Sequence, residues 1–250
     1  EAINWGDIHV AKLDNQVADS SWRGDHSMME SLAPQNVFLH DVMDHQNRNH
    51  HNIKDPYFRF KMYHNKTESV EEEVYNTACV IEEMTGKGAN VVVVESNHDL
   101  ALERWLKEQD YKQDPVNAIF FLDLQLATYL AIKGGDDFSI FEYACKMLNS
   151  ELDSVKFLRT DESYTICGDI ECGSHGHNGN NGARGGVPAF QKQGIRVNIG
   201  HSHSANIKDG VYQAGVSGKL DMTYNTGGSS WSHSHIVTYS NGKRAIITLK

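Results

Sequence analysis

The sequence has no long apolar segment and no secretory leader pattern. A membrane-spanning helix needs roughly 18 consecutive apolar residues, and a signal peptide needs a basic stretch followed by an apolar one. We therefore expect a soluble, cytoplasmic protein with no membrane partner. The chain opens at Glu1 without a methionine, so we also expect further sequence to precede it.

Cysteine is scarce, and basic residues are outnumbered by acidic ones. The 250 residues include four cysteines, and no pair has the C-x-x-C spacing. This excludes a disulfide scaffold and a sulfur-rich zinc cluster, and favours buried, reduced thiols. The formal net charge of −10 argues against a generally basic surface for nucleic acids. Two divalent cations in one cleft would still let an acidic protein bind a phosphate there.

Short apolar runs alternate with helical patterns, which predicts an α/β fold. Residues 36–39 and 91–94 have the apolar character of buried strands. Residues 67–85 between them place apolar side chains on one helical face, with glutamates in the first turns and Gly86 at the exit. A helix between two strands predicts a βαβ crossover. The length favours one compact domain over residues 1–250.

A helical insertion is predicted over about residues 100–150. Asp114-Pro115 resembles a helix N-cap followed by a proline at the first helical position. We therefore expect one helix at 116–132, and a second at 138–148.

The C-terminal part is rich in β-type sequence. Strands are predicted at 164–167 and 195–199, with a glycine-rich loop at 173–186 between them. Near the end, apolar residues flank Asn241-Gly242, a pair that predicts a type I′ hairpin between strands at 235–239 and 245–249.

Histidine and aspartate recur in five short motifs, most of them at the ends of predicted strands. A D-x-H or H-x-H pair places alternate side chains on one face of a strand, so both can reach a single ion. One such pair is weak evidence, because a lone polar residue at a strand end is usually a cap. Five in order predict a metal site: Asp7-Ile8-His9, Asp41-Val42-Met43-Asp44, Asn97-His98-Asp99, His175-Gly176-His177 and Gly200-His201-Ser202-His203.

The order and spacing of these motifs resemble the calcineurin-like metallophosphoesterase family, with its D-x-H, G-D-x-x-D, G-N-H-D/E, single His and G-H-x-H pattern. Two departures are visible, because His40 and Ser96 stand where the family has glycine. The resemblance implies a four-layer α/β/β/α sandwich. It also implies two divalent metal ions, one held by Asp7, His9 and His203 and the other by Asn97, His175 and His201, with Asp41 bridging both. Mn²⁺ is the expected metal for a nuclease, while Fe, Zn²⁺ or Mg²⁺ would suit the same ligands.

The resemblance also implies the catalytic residues. His98 would donate a proton to the leaving oxygen, and Asp44 would orient its imidazole. His177 competes with His175 as a metal ligand, and is otherwise expected to contact substrate. His50 and Arg184 are candidate phosphate contacts, although a solvated polar loop and a flexible connector explain them equally well.

Other histidines and the tryptophans are expected to be structural. His233 and His235 form an H-x-H pair for which structural hydrogen bonds are favoured over metal. Trp5, Trp22 and Trp231 could stack on bases, but packing is the simpler interpretation.

The predicted reaction is hydrolysis of a phosphodiester, with DNA as the substrate. The ending Gly228-Ser229-Ser230-Trp231 and the hairpin resemble phage-encoded members of the family, including the pre-early DNases of certain tailed phages. Such a protein would act in the host cytoplasm. A phosphomonoesterase or protein phosphatase with the same metals, and a non-catalytic metal-binding scaffold, remain alternatives. The sequence leaves a homo-oligomer open.

Overall fold

The protein has a mixed α/β fold with two mixed β-sheets. The computed structural model describes residues 1–49, 52–222 and 227–249. The chain forms two compact units. The first comprises Glu1–Val42, Glu83–Ser96 and Ser154–Lys250, and the second comprises Met43–Glu82 and Asn97–Asp153. Among the described residues, no helix is both long and apolar enough to cross a membrane.

The eleven strands of the described chain all belong to the first unit. In chain order they are β1 Ala2–Asn4, β2 Asn36–His40, β3 Asn90–Val94, β4 Lys156–Leu158, β5 Thr165–Ile166, β6 Ile170–Glu171, β7 Arg196–Ile199, β8 Asn206–Lys208, β9 Val211–Gln213, β10 Ser234–Thr238 and β11 Arg244–Thr248. The first sheet has the order β11-β10-β1-β2-β3-β4, and the second has the order β5-β6-β7-β9-β8. Strands β1 to β4 are parallel to one another, whereas β10 is antiparallel to β1.

The two sheets pack against each other through a shared apolar cluster. Phe38, Val92 and Leu158 from the first sheet and Ile166 and Ile170 from the second are all buried in it. Because side chains alternate across a strand, the neighbours of these residues face the opposite side of each sheet. The first unit therefore contains a two-sheet sandwich.

Eight α-helices lie among the described residues. They are α1 Asn15–Ala18, α2 Met28–Leu32, α3 Pro56–Asn65, α4 Val70–Glu82, α5 Leu100–Glu108, α6 Ala118–Gly134, α7 Ile140–Leu148 and α8 Val187–Gln191. Helix α8 covers the second sheet, because Val187 and Phe190 are buried with Val197, Ile199 and Val211. Helices α3 to α7 belong to the second unit.

The predicted helix at 67–85 is confirmed as α4. The side chains expected on its apolar face are buried, including Val74, Ala78 and Ile81. Its first turn is capped from outside the helix, since the Asn117 side-chain oxygen accepts a hydrogen bond from the Val70 N–H at 2.7 Å. Strands β2 and β3, on either side of α4 in the chain, pair in parallel as predicted.

The predicted start of the next long helix was wrong by a few residues. Helix α6 begins at Ala118 with Asn117 as its N-cap, whereas Asp114 and Pro115 lie in the turn before it. The Asp114 carboxylate accepts two hydrogen bonds from the Arg48 guanidinium, at 2.6 and 2.7 Å. A bidentate pair with arginine is stronger than a cap bond to a backbone amide, so the carboxylate is used there.

The final hairpin forms with the predicted strands but not with the predicted turn. A type I′ turn needs positive φ at both central residues, and of the pair Asn241-Gly242 only Gly242 has it, at 74°. The Gly242 N–H donates to the Tyr239 carbonyl, and the Tyr239 N–H donates to the Lys243 carbonyl. The loop is therefore longer than two residues, and glycine takes its left-handed position.

Candidate metal centre

The aspartate and histidine motifs of the first unit come together beyond the ends of strands. The segments that follow β1 and β2 stay hydrogen-bonded to each other, because the N–H groups of Ile8 and His9 donate to the carbonyls of His40 and Asp41. This pairing places the D-x-H motif beside Asp41. The Gly200 N–H donates to the His175 carbonyl at 2.8 Å, which places the end of β7 beside the loop that carries His175.

Asp7, His9, Asp41 and His203 form a buried cluster whose ligand atoms all lie within 4.8 Å of one another. The Nε2 atoms of His9 and His203 are 2.9 Å apart. His203 Nε2 lies 3.3 Å from Asp7 Oδ2, and His9 Nε2 lies 3.5 Å from Asp41 Oδ2. Imidazole nitrogens and carboxylate oxygens directed at one point are a donor set that suits a divalent transition metal. These buried groups could hold a metal ion.

A second histidine group lies next to this cluster. The rings of His175 and His201 have centroids 5.3 Å apart, and those of His175 and His177 are 5.4 Å apart. The ring nitrogens of His175 and His177 are buried and have no hydrogen-bond partner among the residues that the structure describes. Buried polar atoms are normally paired, so one nitrogen of each ring could serve as a ligand of an ion.

Asp41 lies between the two groups. Its Oδ2 is 3.5 Å from His9 Nε2 and 3.7 Å from His175 Nε2. A carboxylate in this position could be shared between two cations. Both His175 and His177 approach His201, with ring centroids 5.3 and 6.2 Å away, and His175 also approaches Asp41.

Burial and neighbouring charges lower the pKa values of several residues in and beside the cluster. Burial alone would raise the pKa of Asp7, but the hydrogen bond and positive charge of His203, together with His9 and His40, lower it. Burial lowers the pKa of His40, His175 and His177, in each case against the attraction of a nearby aspartate. These shifts favour the ionised form of Asp7 and the neutral forms of His175 and His177, which are the protonation states of metal ligands. They favour a neutral His40 as well.

Four residues of the cluster region have a left-handed backbone. The φ angles are 50° at His9, 48° at Asp41, 80° at His201 and 58° at His203. Non-glycine residues rarely adopt positive φ, and each instance costs of the order of 1–3 kcal/mol. Such strain collects at functional sites, because it is retained only where surrounding contacts impose it.

Gly200 has no side chain, and the space beside it is occupied by Asp7 and His40. A Cβ added there would meet Asp7 Oδ1 and would also lie 3.2 Å from the His40 Cβ.

We expect Gly200→Ala to displace the Asp7 carboxylate, lowering the free energy of unfolding by about 1–3 kcal/mol and weakening Mn²⁺ binding by at least about tenfold. Chemical denaturation and calorimetric metal titration would measure the two effects. Gly228→Ala is the control, because nothing lies within 4 Å of a Cβ at that exposed position; equal metal affinity in both variants would contradict the prediction.

The predicted catalytic residues His98 and Asp44 belong to the second unit, as does the predicted ligand Asn97. His98 Nδ1 lies 3.1 Å from the backbone oxygen of Asp44. Because a carbonyl oxygen only accepts, Nδ1 donates, so in the neutral ring Nε2 carries the lone pair. The Asn97 Oδ1 atom is buried and has no hydrogen-bond partner among the described residues. The sequence predicted that Asp44 orients His98, and the main chain of Asp44 contributes a contact that does so.

Glu73 holds the segment that follows Asp44. Its carboxylate accepts hydrogen bonds from the Gln46 and Asn47 N–H groups, at 2.6 and 3.2 Å. Burial is the largest cause that raises its pKa, to about 7, and the charge of Asp44 adds to it. The sequence alone does not indicate this role for Glu73, because a glutamate in the first turn of a helix is usually explained by the helix dipole.

Replacing Glu73 by glutamine is expected to change how stability depends on pH. The folded-state pKa lies above the unfolded value of 4.5, so the contribution of Glu73 is fully present below pH 4.5 and is lost as pH rises through 7. Between those values, the free energy of unfolding of Glu73→Gln should improve relative to wild type by up to about 3 kcal/mol. Urea denaturation at several pH values would measure this. The same slope in Glu73→Gln as in wild type, or its loss in the exposed control Glu71→Gln, would refute it.

Of the three residues predicted to bind substrate, the structure describes His177 and Arg184. His50 lies outside the described residues. Arg184 is exposed and lies in a loop. In this loop the Gly185 N–H donates to the His177 carbonyl at 2.9 Å, and the backbones of Asn178 and Arg184 form an isolated antiparallel β-bridge. His177 lies with the second histidine group, as described above.

Most of the aromatic and histidine alternatives are structural. Trp5 and Trp22 are fully buried, so neither can stack on a base. His235 accepts a hydrogen bond from the Gly6 N–H at 3.0 Å and contacts Ser21 Oγ at 2.9 Å. His233 Nε2 contacts the Gly218 carbonyl, so the structural interpretation of this pair is confirmed. Trp231 differs, since its ring lies 4.3 Å edge-on from that of His203.

Comparison with known proteins places the chain beside a phage protein. No protein-family model matches the sequence. The chain is similar to Protein A1 of Escherichia phage T5. The two are 45% identical over 254 aligned residues, which cover 99% of this chain and 45% of Protein A1. The chain thus spans less than half the length of this relative.

Proposed function

We propose that this chain is a two-metal phosphodiesterase of the calcineurin-like type, and that its substrate is DNA. The observation that carries the proposal is the buried cluster of Asp7, His9, Asp41 and His203, with its ligand atoms within 4.8 Å of one another. Two carboxylates buried among imidazole nitrogens are a donor set that suits a divalent cation. The four-layer sandwich belongs to the same proposal, with the two packed sheets as its inner layers.

The proposal assigns two cations, Mn²⁺ by preference, to these residues. Asp7, His9 and His203 would hold the first, and His175, His201 and Asn97 the second, with Asp41 shared. When bound, such ions lower the pKa of water and neutralise phosphate charge. The uncharged buried amide oxygen of Asn97 and the unpartnered nitrogens of His175 support their assignment.

The protein residues outside the ligand set would bind substrate and transfer the proton. We assign to His98 the proton donated to the leaving oxygen, through Nε2, because Nδ1 is engaged by the Asp44 carbonyl. That contact keeps the ring in one orientation, which general acid catalysis requires. Arg184 and His50 are assigned to phosphate contacts on the strength of charge alone.

DNA is proposed because the chain is similar to a phage protein and because its closing residues resemble phage-encoded phosphodiesterases. The net charge of −10 implies that DNA would be bound near the metals, where phosphate is attracted, and not over a broad basic surface. Such an enzyme would act in the cytoplasm of a phage-infected host.

The test is turnover of four substrates with added Mn²⁺: bis-p-nitrophenyl phosphate, p-nitrophenyl phosphate, linear DNA and circular DNA. Cleavage of the diester and of DNA is the expected result, and nicking of circular DNA would indicate endonuclease action. Cleavage of the monoester alone would support a phosphatase instead. Absence of turnover despite bound metal would leave a metal-binding scaffold and refute the proposed activity of this chain.

A further inference from the structure

His40 is a histidine at the edge of the cluster with no role in the ligand set. It ends β2, directly precedes Asp41, and is completely buried. It occupies the position at which the calcineurin-like pattern has glycine. A ring placed there must be explained by its contacts, because burying an imidazole without partners is unfavourable.

One nitrogen of His40 belongs to a hydrogen-bonded chain that crosses the space between the sheets. His40 Nε2 lies 3.4 Å from the side-chain nitrogen of Asn4. The Asn198 side-chain nitrogen donates to Asn4 Oδ1 at 2.9 Å, and Arg244 Nη1 donates to Asn198 Oδ1 at 3.0 Å. The sequence indicated neither asparagine, although each is a polar residue within an apolar strand.

Arg244 fixes the donor-to-acceptor direction of this series of hydrogen bonds. A guanidinium has only donors, so the Asn198 oxygen must face Arg244 and the Asn198 nitrogen must face Asn4. Asn4 therefore accepts through its oxygen and presents its nitrogen to His40. A neutral imidazole that accepts at Nε2 carries its proton on Nδ1.

The second nitrogen of His40, Nδ1, would then carry the proton of the ring. His40 Nδ1 is buried and has no hydrogen-bond partner among the described residues. The surroundings are those of the cluster, since the ring lies 5.7 Å from that of His175 and interacts electrostatically with Asp7 and Asp41. A Cβ on Gly200 would touch both His40 and the Asp7 carboxylate, so Gly200 lies against both residues.

We infer that His40 is a positioning donor for an anionic oxygen at the metal cluster, and that the Arg244–Asn198–Asn4 chain sets its tautomer. The ligand class is a phosphate oxygen, so the inference rests on the proposed function of the site. A hydrogen bond from a neutral donor to a charged oxygen is stronger than one between neutral groups. The ring would thus add an oriented N–H to a site whose other groups supply charge.

The tautomer can be tested without metal. In the metal-free protein, ¹⁵N chemical shifts of the histidine rings should show His40 protonated at Nδ1, with its signals assigned by their loss in His40→Phe. Asn198→Asp should reverse the chain, because an aspartate accepts from Asn4, which then turns its oxygen toward His40. The proton should move to Nε2, although residue 198 does not touch the ring. Thr238→Val is the matched control, since it removes a 3.2 Å contact to Asn198 without changing the direction of the chain.

The ligand is tested with inorganic phosphate and Mn²⁺-loaded protein by calorimetry. Asn198→Asp should bind phosphate at least about tenfold more weakly than wild type, because Nδ1 then presents a lone pair to the anion. Thr238→Val should bind it as wild type does. Should Asn198→Asp fold poorly, His40→Phe serves as the second variant, with the same expected loss.

Two results would overturn the inference. Protonation of His40 at Nε2 in wild type would refute the tautomer, and equal phosphate affinity in wild type, Asn198→Asp and His40→Phe would refute the donor role. In both cases the proposed phosphodiesterase would stand. Failure of Mn²⁺-loaded wild type to bind phosphate would count against both the inference and the proposed function.

Discussion

Replacing Asp41 by asparagine is expected to lower kcat for bis-p-nitrophenyl phosphate by at least about 10³-fold. The carboxylate lies 3.5 Å from His9 Nε2 and 3.7 Å from His175 Nε2, so it is the group that two cations would share. An amide is isosteric but uncharged, and it cannot bridge two cations as a carboxylate does. Calorimetric titration should show fewer Mn²⁺ ions bound, with the steady-state rate falling in parallel.

Asparagine is chosen because Asp41 has φ of 48°, a conformation that asparagine tolerates better than alanine does. The control is Asp209→Asn, which makes the same exchange at an exposed residue with φ of 44°. It should retain full activity. Wild-type turnover and metal content in Asp41→Asn would show that Asp41 bridges nothing.

His98→Ala is expected to lower kcat by about 10²–10⁴-fold while leaving Mn²⁺ binding unchanged. The physical reason is loss of the proton donor, since His98 offers Nε2 when Nδ1 contacts the Asp44 carbonyl. The loss should be larger for DNA, whose leaving alkoxide needs a proton, than for bis-p-nitrophenyl phosphate, whose phenolate leaves readily. This dependence on leaving group separates proton donation from a purely structural effect.

His64→Ala provides the comparison, because His64 is an exposed histidine on α3 of the same unit. It should behave as wild type. An identical loss for both substrates in His98→Ala would remove the proton-donor assignment, and a loss of bound metal would make His98 a ligand instead.

Much of the fold could be predicted because hydrophobic periodicity is a local property. The apolar run at 91–94 predicts a strand, and the apolar face, first-turn glutamates and exit glycine of 67–85 predict a helix; these correspond to β3 and α4. The start of α6 was misplaced because Asp114 pairs with Arg48, 66 positions earlier in the chain. No local pattern reports such a partner.

The candidate site also combines features that the sequence predicts with features that only the tertiary fold reveals. Asp7 and Asp41 follow two parallel strands, β1 and β2, and therefore meet at one edge of the sheet. The sequence predicts only the second of these strands, so the family resemblance alone placed the two residues together. His235 and His203 both belong to H-x-H pairs, yet one is hydrogen-bonded in the core and the other lies in the cluster. Only the tertiary fold separates them. The chain from Arg244 to His40 joins residues from four strands, and its direction depends on which side-chain atoms face each other.

The left-handed backbone at His9, Asp41, His201 and His203 has a consequence for how this sequence would change under selection. Glycine or asparagine at such positions relieves strain, so the substitutions that best stabilise these loops are those that remove a candidate ligand. A library selected for thermal stability alone should accumulate them. A library selected for metal-dependent turnover should keep the histidines and aspartate, and it should gain its stability at positions elsewhere in the chain.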